Sequence, residues 1–139
     1  MIRTAVISML ILTLFSGVAH SEDRNAAVQQ ATKVSDAWLK LIDEGKYAES
    51  REQAATFFKD HITAEQWAKM AAAARKPLGA VVSRKFKMAQ YATHLLGAPE
   101  GQYVVILYDT EFAKKKGAIE TVTPMLDKGQ WRVSGYYIR

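Results

Sequence analysis

The chain has 139 residues, which suits one domain and is too short for two ordinary ones. Hydrophobic residues make up 49% and charged residues 24% of the sequence, a balance typical of globular rather than disordered proteins. The net charge of +5 favours anionic surroundings. It does not indicate a nucleic-acid binder, since those proteins usually concentrate their charge on one face or helix. Cysteine is absent, which excludes disulfides, thiolate catalysis and cysteine metal sites.

The first 21 residues have the layout of a secretory signal peptide. A cationic start at Arg3 precedes an apolar run, which ends in a pattern of small residues. We predict cleavage between Ser21 and Glu22 and a mature exported domain of residues 22–139. An uncleaved anchor is the alternative, but the apolar run is shorter than the ~20 residues that a membrane-spanning helix needs. No stable membrane insertion is therefore expected after cleavage.

The first half of the mature chain predicts three helices. Apolar residues recur at helical spacing over residues 27–42, and Gly45 tolerates the left-handed conformation that ends many helices. A second helix is predicted over residues 46–59. The third begins at the capping box Thr63–Gln66 and ends before Pro77, which disfavours helix at the residue preceding it. Four apolar residues of the third helix share the face that is expected to be buried: Trp67, Met70, Ala71 and Ala74.

After Gly79 the hydrophobic period changes from helical to alternating, which predicts β-strands. Short turn-like segments separate four strand candidates, so neighbouring strands should be antiparallel. The order of elements predicts an α+β domain, with three N-terminal helices packed on a curved four-stranded antiparallel sheet. Pro124 cannot donate a ladder hydrogen bond, so a bulge or bend is expected there. The predicted strands cover residues 80–94, 102–112, 118–127 and 130–138.

Four long segments carry a family resemblance: "WLKLIDEGKYAES", "RKPLGAVVSR", "LGAPEGQYVVILYDTEF" and "ETVTPMLDKGQWRVSGYYIR". In this order they resemble a bacterial envelope family known as domain of unknown function 4019, over about residues 37–139. The resemblance implies a small periplasmic domain with an NTF2-like or cystatin-like cone. In such folds helices wrap a curved antiparallel sheet and can leave a pocket. The resemblance supplies no activity and no catalytic residues.

An arginine lies on the apolar side of the first predicted strand, because Val82, Arg84, Phe86 and Met88 alternate onto one face. Burying a guanidinium without a partner is costly. We therefore expect either a structural ion pair with a carboxylate or a pocket in which Arg84 binds an anionic ligand. Glu120 is a candidate partner, since it also shares a strand face with apolar residues. The candidate ligand-binding residues are Arg84, Tyr103, Asp109 and Glu120.

The sequence offers no recognisable catalytic motif. It has no GxSxG, no phosphate-binding glycine loop and no nucleotide fingerprint, and no metal-ligand spacing surrounds His61 or His94. We predict no catalytic residues, no metal and no cofactor. Asp109, with Tyr103 on the same strand face, would be the general base of the alternative, a small isomerase- or dehydratase-like enzyme.

Strict alternation in the last strand predicts that Trp131, Val133 and Tyr137 face the core. Tyr136 and Ile138 would then point outwards as a small apolar patch for a partner. We interpret the chain as an exported, non-enzymatic module that binds a small anionic ligand or an envelope partner. Self-association is also open, and a purely structural envelope protein is a further alternative.

Overall fold

The computed structural model describes residues 16–139 and, for side chains, residues 21–139. Most of the signal peptide predicted for residues 1–21 therefore lies outside the described residues. Four α-helices come first: α1 (Ser16–Asp43), α2 (Tyr47–Glu52), α3 (Thr56–His61) and α4 (Ala64–Arg75), followed by a 3-10 turn (Lys76–Leu78). Four strands follow: β1 (Val81–Ala92), β2 (Tyr103–Phe112), β3 (Lys115–Asp127) and β4 (Gln130–Ile138). No helix in this described part is both long and apolar enough to cross a membrane.

The strands form one antiparallel sheet in the order β1-β2-β3-β4, which confirms the predicted α+β class and meander. The sheet is not closed, so β1 and β4 are its edges. The β4 edge is partly covered, because the backbone N–H of Ala55 donates to the carbonyl of Val133 at 2.8 Å.

The main core lies between α1, α4 and one face of the sheet, which we call the inner face. Trp38 is at its centre, 2% exposed, with its ring 5.9 Å from that of Trp67 and 5.4 Å from that of Tyr136. Both indole N–H groups donate to Ser50, one to its carbonyl and one to its hydroxyl. Buried aromatic N–H groups need such partners. The other fully buried apolar residues of this core include Ala31, Leu39, Ile42, Val104, Ile106, Val122 and Val133.

The single helix predicted for residues 46–59 is wrong, because the structure has two short helices there. Between them the chain turns so that Ala55 can bond to Val133 of β4. The carboxylate of Asp127, at the end of β3, then accepts hydrogen bonds from the Thr56 N–H and hydroxyl, at 2.8 and 2.9 Å. These contacts from the sheet end one helix and start the next, so the described residues hold four α-helices instead of three.

The predicted capping box of α4 is confirmed. The Thr63 hydroxyl accepts the Gln66 N–H at 3.2 Å, and the Gln66 side chain accepts the Thr63 N–H at 3.0 Å. The predicted buried face is partly wrong. Met70 is 59% exposed and Ala74 is also exposed, because α4 buries Arg75 together with Trp67 and Ala71.

The bulge predicted at Pro124 is confirmed by a register shift between β3 and β4. Thr123 pairs with Gly135, whereas Pro124 pairs with Val133, so Ser134 is an extra residue on β4. One extra residue reverses the facing of everything that follows it.

This reversal makes the predicted facing wrong after Ser134, whereas before it Val133 is buried in the core and Trp131 packs against the core, as predicted. Tyr136 faces the core against Trp38, whereas Tyr137 is 60% exposed. Ile138 is half-buried. The apolar patch predicted from Tyr136 and Ile138 is therefore not present in that form.

A second bulge, in β1, corrects the predicted face of Met88. Phe86 pairs with Tyr108 and Met88 pairs with Leu107, so Lys87 is the extra residue. Met88 consequently lies on the sheet face opposite Phe86. A third irregularity leaves Val82 without a partner on β2, at 65% exposure.

We predict that Asp127→Ala lowers the free energy of unfolding by about 1 kcal/mol, the usual cost of losing a helix N-terminal cap. The Thr56 N–H lowers the pKa of Asp127 by bonding to its charged form. This contribution is therefore present at neutral pH and lost in acid. Urea unfolding at pH 7 measures the change. Asp60→Ala, an exposed acid on the same helix, is the control, and an equal effect of both variants would contradict the capping role.

Candidate functional site

The Arg84 side chain joins two carboxylates from different parts of the chain. Its Nε lies 2.7 Å from Glu120 Oε1, and its Nη2 lies 3.3 Å from Glu120 Oε2. Its Nη1 and Nη2 also bond both oxygens of Asp43, at 2.7 and 2.9 Å. The Arg84 side chain is only 15% exposed. Of the two arrangements expected for this arginine, the structure contains the ion pair, with a second acid added.

Glu120 is completely buried and is surrounded by donors. Besides Arg84, the Thr110 hydroxyl donates to its Oε1 at 2.6 Å and the Tyr136 hydroxyl donates to its Oε2. A buried carboxylate needs this degree of hydrogen bonding because desolvation opposes its charge. The Glu120 oxygens are thus already engaged within the protein.

Arg75 connects the end of α4 to the same group of charges. Its Nη2 lies 2.8 Å from Asp43 Oδ1, and its guanidinium lies 4.9 Å from the centre of the Phe112 ring. The side chain is 6% exposed, and its Nε and Nη1 have no hydrogen-bond partner among the described residues. Stacking on the aromatic face holds the cation where hydrogen bonds do not. We call the set Asp43, Arg75, Arg84, Thr110, Glu120 and Tyr136 the charge network.

The charge network shifts the pKa values of Asp43, Arg84 and Tyr136 in the directions that preserve its ion pairs and hydrogen bonds. Burial opposes the charged form of Asp43, but hydrogen bonds from Arg84 and Arg75 outweigh it and lower the pKa. Burial likewise opposes the Arg84 charge, and bonds to Asp43 and Glu120 raise its pKa above the ordinary value. Burial and the Glu120 charge raise the pKa of Tyr136, so its hydroxyl stays a donor.

A groove runs between α1 and β1, beside the charge network. It consists of two hollows of about 500 and 300 Å³ that share Asp36 and Phe86. At its polar end the Tyr108 hydroxyl donates to Asp36 Oδ1 at 2.6 Å. Burial raises the pKa of Tyr108, which keeps this hydroxyl protonated. The larger hollow is also lined by Val28, Gln29, Thr32 and Lys33, and the smaller one by Leu39, Arg84 and Tyr108.

The structure brings together two of the four candidate ligand-binding residues, Arg84 and Glu120. Tyr103 lies in a separate cluster with Ala55 and Met125, and its hydroxyl donates to the Pro99 carbonyl at 2.5 Å. Asp109 is exposed on the other sheet face, 3.3 Å from the Lys87 ammonium.

Sequence reasoning missed Asp43 and Arg75. A signal for Asp43 was available, because an acid in the last turn of a helix opposes the helix dipole and calls for a cation. Nothing local in the sequence indicated that Arg75 would be buried. Within residues 16–139, no group of three His, Asp or Glu side chains is placed to hold a metal ion.

Comparison with known protein families identifies the family to which this chain belongs. The model of a family described as "Protein of unknown function (DUF4019)" matches residues 34–136, most of the chain. This chain belongs to the DUF4019 family. The charge network of this DUF4019 protein lies within the matched span, whereas Val28 and Lys33 of the groove precede it. Neither the curated proteins nor the solved structures contain a significant match.

We predict that Arg84→Met lowers the free energy of unfolding by about 3 kcal/mol, because Glu120 becomes a buried charge without its cation. Adding Glu120→Gln to that variant should restore at least about 1 kcal/mol, since the amide carries no charge, its oxygen accepts from one of the two hydroxyls and its NH2 group donates to the other. Denaturant unfolding of the single and double variants measures both effects. Lys69→Met, which removes an exposed cation, is the control and should change stability little. A double variant no more stable than Arg84→Met would contradict this account.

We predict that Asp43→Asn lowers stability at pH 7 by about 1 to 2 kcal/mol, through loss of charged hydrogen bonds to two arginines. Because folding lowers the Asp43 pKa, its contribution is complete above the usual value of 3.8 and disappears as pH falls through the folded-state pKa. The stability difference between wild type and Asp43→Asn should therefore shrink below about pH 4. Urea unfolding from pH 7 to pH 2.5 tests this. A difference that stays constant over that range would show that the Asp43 charge is not involved.

Proposed function

We propose that this protein is an exported, periplasmic, non-enzymatic module that binds a small molecule in the groove between α1 and β1. The observation that carries the proposal is the exposed aromatic residue in this groove. Phe86 is 53% exposed, although one edge of the hollow is built by Tyr108, whose ring centre lies 6.4 Å away at 89°. A large apolar side chain at a concave surface, next to a few fixed polar groups, is typical of ligand sites.

The geometry favours a ligand with an apolar body and one anionic group. The apolar body would cover Phe86 and Val28, which line the wider hollow. The anionic ligand expected from the sequence needs a cation, but the Arg84 guanidinium already bonds two carboxylates. Lys33 lines the wider hollow and would take that role. Asp36, one helical turn further along α1 and shared by both hollows, would repel an anion from the narrower hollow and so orient the ligand.

The proposal includes the NTF2-like or cystatin-like build that the family resemblance implies. An open antiparallel sheet with helices on its inner face is the coarse arrangement such a build needs. The signal-peptide layout of residues 1–21 supports export, and a periplasmic location is part of the proposal.

The geometry favours binding over the alternative of a small isomerase or dehydratase. Such an enzyme needs a carboxylate that is free to take a proton at the ligand site. Asp109 is exposed on the other face of the sheet, and Glu120 is engaged by Arg84, Thr110 and Tyr136. In the groove itself, the Asp36 carboxylate already accepts a hydrogen bond from the Tyr108 hydroxyl.

Mass spectrometry of the protein from its own compartment tests export and binding together. We expect the full-length gene to yield, in the periplasmic fraction, a chain that begins at Glu22. Under native conditions this chain should carry additional mass from a retained small molecule, which is lost on denaturation. A full-length chain found in the cytoplasmic fraction would contradict export, and a periplasmic chain without retained mass would leave binding to depend on the next measurement.

We predict that Phe86→Ser weakens binding of 1-anilinonaphthalene-8-sulfonate about tenfold, since the variant loses roughly 1.5 kcal/mol of apolar burial. This probe has an apolar body and one anionic group, the chemistry proposed for the ligand. Fluorescence titration measures the affinity. Met70→Ser is the matched control, because Met70 is 59% exposed on α4 and does not line the groove. Absence of probe binding to wild type, or equal weakening by both variants, would contradict the groove as the site.

A further inference from the structure

A third hollow lies between α1 and β1, at the end of the groove away from the charge network. Its volume is about 310 Å³. The Arg24 guanidinium lies 5.6 Å from the centre of the Tyr91 ring, and the Tyr91 hydroxyl donates to Gln102 Oε1 at 3.1 Å. We call it the far hollow, and it is lined by Asp23, Arg24, Tyr91, Thr93 and Gln102.

One row of α1 side chains connects the three hollows. Residues four apart on a helix lie on the same face. The row Arg24, Val28, Thr32 and Asp36 supplies at least one lining residue to each hollow in turn. At about 1.5 Å of rise per residue, this row extends roughly 18 Å. The three hollows therefore follow one another along the helix.

The β1 wall opposite this row is apolar and has its smallest side chain in the middle. Phe86, Ala89 and Tyr91 are successive residues of β1 on the inner face, because each pairs with a core residue of β2. The β1 bulge places Ala89 there instead of the larger Met88. The wider hollow and the far hollow share no lining residue, but Ala89 and Val28 lie between them and are half-buried. An accessible apolar surface thus joins the two hollows.

The direction in which an apolar chain would run follows from the charges on either side of Lys33. Towards the narrower hollow the groove meets Asp36 and Arg84, which would lose hydration beneath such a chain. Towards the far hollow it first meets Val28 and the apolar residues of β1, and the charges of the far hollow come only at the end. A chain anchored at Lys33 therefore buries least charge in the direction of the far hollow.

We propose that the groove binds an unbranched single-chain amphiphile, with its anionic head at Lys33 and its apolar chain running along α1 towards Tyr91. This inference rests on the proposed function and adds the shape of the ligand to it. A hydrocarbon chain needs no hydrogen bonds, whereas an extended peptide would bury backbone groups against apolar side chains that offer none. One row of α1 facing one row of β1 suits one chain rather than two.

Calorimetric titration with straight-chain carboxylates from hexanoate to hexadecanoate tests this shape. Each added CH2 group should tighten binding roughly fourfold while the chain extends along the groove. The gain should stop once the chain covers about 14 Å, the rise of α1 between Arg24 and Lys33. An affinity that does not depend on chain length, or one that still rises at the longest chain, would overturn the inference. Binding of the compact probe 1-anilinonaphthalene-8-sulfonate would support the proposed function even then, so the two failures are distinguishable.

Ala89→Phe should obstruct the chain between the wider hollow and the far hollow. We expect it to weaken dodecanoate binding at least about tenfold and to leave hexanoate, which is short enough for the wider hollow, unchanged. Gln90→Phe is the matched control, because it adds the same ring to the next residue of β1, on the opposite sheet face, here called the outer face. Circular dichroism confirms that each variant is folded. Equal effects of the two variants, or no effect of a folded Ala89→Phe, would overturn the inference.

Two exposed cations test the direction of the chain without disturbing the core. Lys33→Gln should weaken binding of every carboxylate about threefold, since the head loses its cation. Arg24→Gln should leave these affinities nearly unchanged. Weaker binding by Arg24→Gln with no change for Lys33→Gln would place the head at the far hollow and overturn the proposed direction.

Discussion

The Glu120 carboxylate is completely buried, and the positions of the surrounding elements depend on the donors that it needs there. Removing a carboxylate from water costs several kcal/mol unless donors replace the lost hydration. The donors come from three strands, since Arg84 lies on β1, Thr110 on β2 and Tyr136 on β4. Arg84 extends the contacts to the end of α1 through Asp43, and Arg75 adds the end of α4. A shift of any one element would leave an ion without its partner, so the charge network sets how the helices sit on the sheet.

The molecule separates the groups that stabilise it from the surfaces that remain for recognition. The central charges are bonded to one another, which leaves the groove with an apolar side at Phe86 and a single acid–tyrosine pair at its end. The outer face holds its own exposed residues on the opposite side of the sheet. Because the sheet lies between them, a ligand in the groove would not touch the outer face.

Local sequence signals predicted the fold class, the capping box of α4, the meander and the bulge at Pro124, because each depends on residues close together in the chain. The acid partner of Arg84 was also predictable, since an arginine on an apolar face requires one. What failed depends on distant contacts. The break between α2 and α3 follows from the bond of Ala55 to β4, and the burial of Arg75 follows from Phe112 and Asp43. The bulge in β1 had no proline to announce it, so the face of Met88 was assigned wrongly.

The extra residue at Ser134 has a consequence for how this chain tolerates changes in length. Tyr136 and Tyr137 are chemically identical neighbours. The Tyr136 hydroxyl nevertheless donates to the buried Glu120 carboxylate, whereas Tyr137 is exposed to solvent. They differ only in their position after Ser134, because successive residues of a strand point to opposite faces of the sheet. Deleting Ser134 would remove the bulge and leave both rings on their present faces, because Tyr136 would then follow Val133 at the two-residue spacing of a regular strand. Each remaining side chain of β4 would keep its partner on β3 and its side of the sheet after this one-residue loss.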